Sequence, residues 1–379
     1  MAIKNIALTN FRNYKNLSLK LETGISVFTG TNGIGKTTIL EAISVLGSGR
    51  SFRLGKNEDF IRHGEAQGNL AGDVELNGLS SKIKIEIHSQ GKKVFLDNKY
   101  VRRLSAITNL LPSVVFSPGD HRIIEGDSAD RKNFLNRAAS ILDYSYAENL
   151  SSYNRVLTQR NQLLKKLTKE GASFSKAEAE LSIWDDQLKE HGLKLMEQRR
   201  AYIGALQEKI IHEYDLIAGK RDQFMAIYVP LGNEEEIYSE ENFTDAIHKI
   251  FSFALKDSLR RDLVVGTTSA GPHKDEILLT LGGNKVKFYG SQGEKRTCAL
   301  ALRLGEVALF KEKHRRAPVL LIDDVSSELD SNRRRSLVEL LQKEDAQVFI
   351  TATELPSTLM KDLGKSFQHW DLVALGEDR

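Results

Sequence analysis

The chain has 379 residues, 40% of them hydrophobic and 7% aromatic, enough to bury the cores of two or three structural units. Its 54 basic and 51 acidic residues leave a formal charge of +3, too even a balance to point to a nucleic-acid partner without local clustering. One cysteine, Cys298, excludes an internal disulfide and reads as a small core residue. With no signal-peptide apolar region and no apolar stretch near the ~20 residues of a membrane span, a soluble cytoplasmic protein is expected.

Short strands are predicted at Ile3 to Leu8, Leu17 to Leu21 and Ile25 to Thr29, followed by a Gly-rich turn and a helix from about Lys36. From Gly68 to Tyr100 the pattern alternates strictly, as in Ile83, Ile85 and Ile87, with turn signals at Asn77-Gly78, Gln90-Gly91 and Asp97-Asn98. This predicts an antiparallel sheet of hairpins. Beyond Ser117-Pro118-Gly119-Asp120 the chain turns helical, with apolar residues at three- and four-residue steps through Phe134, Leu142, Leu150, Leu164, Leu181, Trp184, Leu195 and Ile210. His191-Gly192 and Arg199 interrupt the heptads, so a compact helical lobe is expected rather than a long coiled-coil arm. From Ile277 strands and helices alternate again. The fold class is α/β, with a helical insertion.

Gly30-Thr31-Asn32-Gly33-Ile34-Gly35-Lys36-Thr37 fills every position of G-x-x-x-x-G-K-[ST], between an apolar strand and a helix. In this context backbone amides and the helix N-terminus surround phosphate oxygens, Lys36 reaches the β and γ phosphates, and the Thr37 hydroxyl ligates Mg2+; Thr38 follows on the same turn. The partner motif is Val319-Leu320-Leu321-Ile322-Asp323-Asp324, an apolar strand carrying two acids to a sheet edge. Asp323 is placed on the magnesium ion of bound ATP, and Asp324 as the base that orients or deprotonates the attacking water. Asp324 is one methylene shorter than the glutamate usual in transporter-type ATPases, so slow hydrolysis is expected.

Lys36 and Asp323 stand far apart in sequence, which predicts a discontinuous ATPase domain of residues 1–118 with 264–379, and an inserted helical lobe of residues 119–263. The polar turn Ser291-Gln292-Gly293-Glu294 opens a helical pattern and, taken alone, reads as an N-cap; its own lobe already has a phosphate cradle, so Ser291 is expected to meet the γ-phosphate held by another subunit.

These residues resemble the ATP-binding-cassette ATPases, and within them the RecF branch beside the SMC proteins. The resemblance covers nearly the whole chain. It is carried by Leu8-Thr9-Asn10-Phe11-Arg12-Asn13-Tyr14, the cradle with Glu41-Ala42 behind it, Gly49-Arg50-Ser51-Phe52-Arg53, Phe116-Ser117-Pro118, Arg131 to Leu135, Gly271-Pro272-His273-Lys274-Asp275, and Asp323 to Asp330. It implies an ABC-type lobe combining a mixed sheet with helices and an antiparallel hairpin sheet. It further implies a homodimer with two ATP molecules between cradle and signature surfaces, binding to gapped DNA at single-strand/double-strand junctions, and action with RecO and RecR to load RecA. Nucleoid association follows from that role. The resemblance also places Ser327, Glu328, Leu329 and Asp330 against the opposite nucleotide, and Arg12 on a phosphate.

Two departures, one histidine and several basic clusters complete the reading. The signature carries Glu294 where the family has a glycine-rich S-x-G-Q form, and the strand Val348 to Ile350 ends in Thr351-Ala352-Thr353-Glu354 without the histidine of transporters. His273 is either catalytic or a structural hydrogen-bonded histidine. Arg102-Arg103, Lys165-Lys166, Arg199-Arg200, Arg260-Arg261, Arg315-Arg316 and Arg333-Arg334-Arg335 are candidate phosphate contacts for DNA, or solvated helix faces. A transporter ATPase subunit would require the missing histidine, an ATPase-nuclease would require metal-binding carboxylates beyond Asp330, and a small-molecule kinase would not explain Ser291.

Overall fold

The computed structural model describes residues 1–53, 55–102, 105–219, 222–232, 243–324, 331–343, 345–355, 357, 361, 364 and 366–374. The chain divides into two compact units, Met1–His121 with His212–Lys220 and Arg296–Arg379, and Arg122–Ile211 with Arg221–Lys295. These cuts fall elsewhere than the expected domain bounds. Residues 264–295 group with the second unit because their strand pairs there, as described below.

The first unit opens with β1 (Ala2–Phe11), β2 (Tyr14–Lys20), β3 (Ile25–Thr29) and α1 (Lys36–Ser48). The hairpins β4 (Gln67–Leu76), β5 (Leu79–His88), β6 (Gly91–Leu96) and β7 (Lys99–Val101) follow, then α2 (Ser105–Thr108) and β8 (Ser113–Phe116). Six strands form an antiparallel sheet in the order β2-β1-β4-β5-β6-β7. Period-two patterning builds it: Ile83, Ile85 and Ile87 are fully buried, while their neighbours face the other way. Asn77-Gly78 and Asp97-Asn98 take positive φ at both positions, the backbone that two-residue hairpin turns need. The third turn is at Ser89-Gln90 rather than Gln90-Gly91; Gly91 has already entered β6, paired with His88.

The second unit contributes α3 (His121–Glu125), α4 (Ser128–Leu142), α5 (Tyr144–Lys169), α6 (Phe174–Ala218), β9 (Phe224–Val229), α7 (Phe243–Asp257), α8 (Leu259–Val265), β10 (Glu276–Leu281), β11 (Asn284–Lys285) and α9 (Val286–Tyr289), with some end residues assigned to the first unit. Here β9-β10-β11 form a small antiparallel sheet. Asp127 caps α4 by accepting from the amides of Ala129 and Asp130. The helix α6 is continuous for 45 residues, about 67 Å, and runs through Gly192 and Arg199, where the heptads are interrupted. Gly192 is accommodated inside the helix, where a side chain would collide with the ring of Phe251 on α7, 2.7 Å away. Arg199 continues it because its charge is met by a buried carboxylate.

The chain ends with α10 (Gln292–His314), β12 (Val319–Ile322), α11 (Ser331–Lys343), β13 (Val348–Ala352) and β14 (Phe367–Asp371). The second sheet of the first unit runs β14-β3-β13-β12-β8, with every pairing parallel. Parallel and antiparallel strands thus lie in separate sheets. β3, β8, β12 and β13 are buried along their whole length, as strands covered on both faces must be. One core joins α1 (Ile39, Leu40, Ile43, Leu46) to both sheets through Ile6, Leu8, Phe28, Leu321 and Phe349. A second core covers the opposite face of the parallel sheet with Leu304 and Val307 of α10 and Leu337 and Leu341 of α11. Cys298 is buried on α10, as read from the sequence. Among the described residues, no helix is long and apolar enough to cross a membrane.

Candidate phosphate-binding site

The glycines of the loop between β3 and α1 adopt backbones that side chains resist. Gly30, Gly33 and Gly35 have φ of 147°, 81° and 105°. At Gly35 a side chain would also meet the Tyr14 hydroxyl at 2.6 Å and the Asn13 amide at 2.7 Å. Gly35 is the N-cap of α1 and supplies no side-chain bond, so the first amides of the helix have no side-chain acceptor from the cap. The Lys36 ammonium bonds the carbonyls of Gly30 (2.6 Å) and Thr31 (3.0 Å), spanning the loop's interior. Burial lowers its pKa, and the charges of Asp324 and Asp323 partly offset that, placing both acids within electrostatic reach of the lysine.

The acidic strand arrives at the same place. Thr37 Oγ1 donates to Asp323 Oδ1 at 2.8 Å, joining two motifs separated by 286 residues. Thr351, at the end of β13, donates from Oγ1 to the same Asp323 oxygen at 2.7 Å and accepts from the Asp324 amide at 2.9 Å. Asp324 has φ of 51°, a left-handed backbone that aspartate tolerates better than most residues. The Thr351 bond fixes that turn. A cavity beside it is lined by Asp323, Asp324, Phe116, Arg296 and Arg303. Thr351 was missed in the sequence as a ligand of the acidic pair; the only signal was a hydroxyl residue one position past Ile350, next to the expected histidine site.

The residues suit the groups the motifs imply. Cap-free amides, a cationic side chain and a glycine backbone suit a polyphosphate. The Thr37 hydroxyl and Asp323 carboxylate form an all-oxygen donor pair that suits Mg2+. Among the described residues, no group of three or more His, Cys, Asp or Glu could hold a metal ion.

Arg12 is brought to α1 rather than into the loop. Its Nε and Nη2 donate to Glu41 at 3.0 and 2.7 Å, and Glu41, fully buried, also accepts from Ser51 Oγ at 2.6 Å. The guanidinium lies 5.1 Å over the Phe60 ring, which Lys92 approaches to 4.2 Å. Burial and the charge of Arg50 lower the Lys92 pKa to about 8. Glu41 therefore ties the Arg12 and Ser51 motifs together, an assignment that the Glu41-Ala42 match alone did not give.

In the second unit, Ser291 and Glu294 form a capping box. Glu294 accepts from the Ser291 amide and hydroxyl at 2.7 and 2.8 Å, and its own amide donates to Ser291 Oγ at 3.3 Å. The bond from the Ser291 amide leads the lowering of the Glu294 pKa. Gln292 donates to Glu125 at 3.1 Å. Glu294, unexplained in the sequence, is thus the residue that organises this helix start, with Gly293 inside its first turn. Ser327, Glu328, Leu329 and Asp330 lie outside the described residues.

His273 belongs to a buried polar network. Its Nδ1 meets the Tyr153 hydroxyl at 2.6 Å and its Nε2 meets the Thr268 carbonyl at 3.0 Å. Burial pulls its pKa down to about 4, so the ring is neutral, donating to Thr268 and accepting from Tyr153. Beside it Arg199 donates to Asp275 and to the Pro272 carbonyl, both at 2.6 Å, and to Tyr146 and Asn136. Arg199 is 2% exposed, which removes it from the candidate DNA contacts. Of the remaining clusters, Lys165, Lys166, Arg260 and Arg261 are exposed, and Arg316 bonds the Asn109 carbonyl. Arg103 and the side chains of residues 333–335 lie outside the described residues.

A family model described as RecF/RecN/SMC N terminal domain matches residues 2–365. The chain is similar to the DNA replication and repair protein RecF of Geotalea uraniireducens (strain Rf4), 34% identical over 363 residues that cover 96% of each chain. It is also similar to the protein of that name from Agathobacter rectalis, 36% identical over 356 residues covering 94% of this chain and 93% of the relative. A solved structure of the recombination mediator protein RecF-ATPrS in the RecFOR pathway aligns with a TM-score of 0.84 at 31% identity, covering 98% of this chain and 96% of that one. A RecF-ATP structure aligns at 0.83 and 30% identity, over 98% and 97%.

Proposed function

The chain belongs to the RecF family of DNA replication and repair proteins, with their ABC-type ATPase fold, and from that premise we propose that it is an ATP-gated DNA clamp with slow hydrolysis. The observation that carries this reading is the Thr37–Asp323 hydrogen bond, which unites the phosphate loop and the acidic strand in one site. The amides of residues 30–38 bind the phosphates, Lys36 neutralises the β and γ oxygens, and Thr37 with Asp323 holds Mg2+, which withdraws charge from the phosphates when bound. Arg12, whose fork is held by Glu41 on α1, is the candidate for a further phosphate contact. Asp324, aligned by Thr351, orients the attacking water and accepts its proton.

The site is completed in trans. Ser291, with the Gln292, Gly293 and Glu294 turn, meets the γ-phosphate held by a second copy, and residues Ser327 to Asp330 line that interface. ATP binding therefore drives dimerisation, and hydrolysis releases dimer and DNA. The DNA is a gapped duplex with a single-strand/double-strand junction, and the partners are RecO and RecR, acting in the cytoplasm at the nucleoid to promote RecA loading.

Binding of a labelled ATP analogue and steady-state hydrolysis test the chemical part. Lys36→Ala abolishes binding, whereas Asp324→Asn keeps it and lowers kcat by about 10²–10³-fold. Restoring the longer carboxylate with Asp324→Glu raises kcat above that of the natural protein. Unaltered hydrolysis in Asp324→Asn, or a natural turnover of roughly hundreds per second, well above the median enzyme, contradicts the assignment.

A further inference from the structure

The outer face of the antiparallel sheet carries a feature that the nucleotide site does not use. Residues 79–102, which make up β5, β6 and β7 with their turns, hold six lysines and arginines against Glu86 and Asp97. That net +4 exceeds the +3 of the whole chain. The even balance of the full sequence therefore conceals one strongly cationic ribbon.

Strand register decides which face bears the charge. Ile83, Ile85, Ile87 and Val94 point into the core, at most 4% exposed. Lys84 pairs with Phe95, Glu86 with Lys93, and Phe95 with Tyr100, so these side chains share the outer face with Lys82. Lys84 bonds Glu86 at 2.8 Å, and that bond leads the lowering of the Glu86 pKa, with the charges of Lys84, Lys93 and His88 adding to it. Glu86, the acid between Lys84 and Lys93, is thus already paired, and Asp73, the register partner of Lys82 on β4, is held by the Asn5 amide. Phe95 and Tyr100 make an edge-to-face pair at 5.9 Å, Lys84 lies 5.7 Å over Phe95, and Tyr100 is 57% exposed.

We propose that this ribbon binds single-stranded nucleic acid, with bases stacked on Tyr100 and the backbone tracked by Lys82, Lys84 and Lys93. Exposed aromatics among cations are what a strand with unpaired bases requires, since every base offers a π-face and every linkage a charge. A duplex hides its base faces and gains nothing from Tyr100. A protein partner fits the face poorly, because lysine is depleted in protein interfaces. Lysines on a short edge strand also block unwanted pairing between sheets, but that role requires neither the ring pair nor the cation above it. The inference deepens the proposed DNA activity and rests on it only for the presence of a strand.

The test uses the full chain saturated with a non-hydrolysable ATP analogue. Fluorescence anisotropy measures its affinity for labelled oligothymidylate, oligouridylate of equal length and a blunt duplex. Tyr100→Ala weakens single-strand binding by about tenfold and leaves duplex binding within twofold, while Tyr100→Phe retains both. Lys93→Gln lowers the slope of log affinity against log salt by about 0.7 on the single strand. The tighter of the two oligonucleotides identifies DNA or RNA as the strand. Equal affinity of Tyr100→Ala and the natural protein for both oligonucleotides overturns the proposal, as does an equal loss on single strand and duplex. Tyr100-dependent binding that ignores the nucleotide supports the ribbon and instead overturns the ATP-gated clamp.

Discussion

Two charged clusters, one in each unit, are held in opposite ways. In the first, Lys36, Asp323 and Asp324 sit at the rim of a parallel sheet, held by hydrogen bonds to Thr37, Thr351 and loop carbonyls beside an open cavity. In the second, Arg199 and Asp275 are sealed inside, with Tyr146, Tyr228, Asn136 and two backbone groups satisfying them. Arg160 repeats the pattern, fully buried on Asp262 at 3.0 Å and Asp185 at 2.6 Å. Groups that must exchange partners with a ligand stand at an open rim, whereas groups that hold a helical body together are buried against their counter-charges. A charged motif in the sequence therefore signals either chemistry or bracing, and burial separates the two.

The comparison breaks most visibly at Arg199. Arg199→Met leaves the Asp275 charge buried without its cation and costs about 3–5 kcal/mol in urea unfolding. Adding Asp275→Asn recovers most of that, because a neutral amide needs no counter-charge. An exposed arginine in that position would cost under about 1 kcal/mol, and such a result would undo the contrast.

A somewhat smaller effect is expected from pH. The unfolded His273 ring takes up a proton near pH 6.5, while the folded ring stays neutral to about 4. Its contribution is complete above pH 6.5 and is lost as pH falls toward 4, about 3 kcal/mol in all. Urea melts between pH 7 and 4.5 should show His273→Gln losing stability less steeply than the natural protein. Parallel pH profiles would instead place the ring in solvent.

The smallest effect sharpens the other side of the comparison. Thr351→Val removes one donor to Asp323 and one acceptor from Asp324, costing about 1 kcal/mol of stability. Single-turnover hydrolysis nevertheless falls about tenfold, since a small misplacement of the base is expensive in rate. A stability loss without a rate change would reduce Thr351 to a packing residue.

Much of this was legible in the sequence where backbone chemistry dictates residue type. The glycines at 30, 33 and 35 announce their positive φ, the alternation of Ile83, Ile85 and Ile87 announces a half-covered sheet, and Asn77-Gly78 announces its turn. Sequence spacing is weaker where tertiary contacts overrule local signals. Gly192 and Arg199 read only as interruptions of the heptads, because local sequence shows neither the Phe251 ring packed on the first nor the Asp275 carboxylate bonded to the second. Arg199-Arg200 looked like a solvated doublet because local sequence cannot display a carboxylate 76 residues away. Thr351 escaped notice because one hydroxyl at a strand end carries no pattern, whereas the Ser291 turn was legible as a helix cap and only the share of Glu294 in it was not.

The central claim is that the triphosphate is gripped by the loop of one copy and closed by the Ser291 turn of another. Sedimentation of the natural protein and Ser291→Arg, each with a non-hydrolysable ATP analogue, with ADP and with no nucleotide, tests it most directly. The natural protein should be dimeric only with the analogue, while Ser291→Arg binds the analogue equally well and stays monomeric. Dimers of both proteins regardless of nucleotide would contradict it.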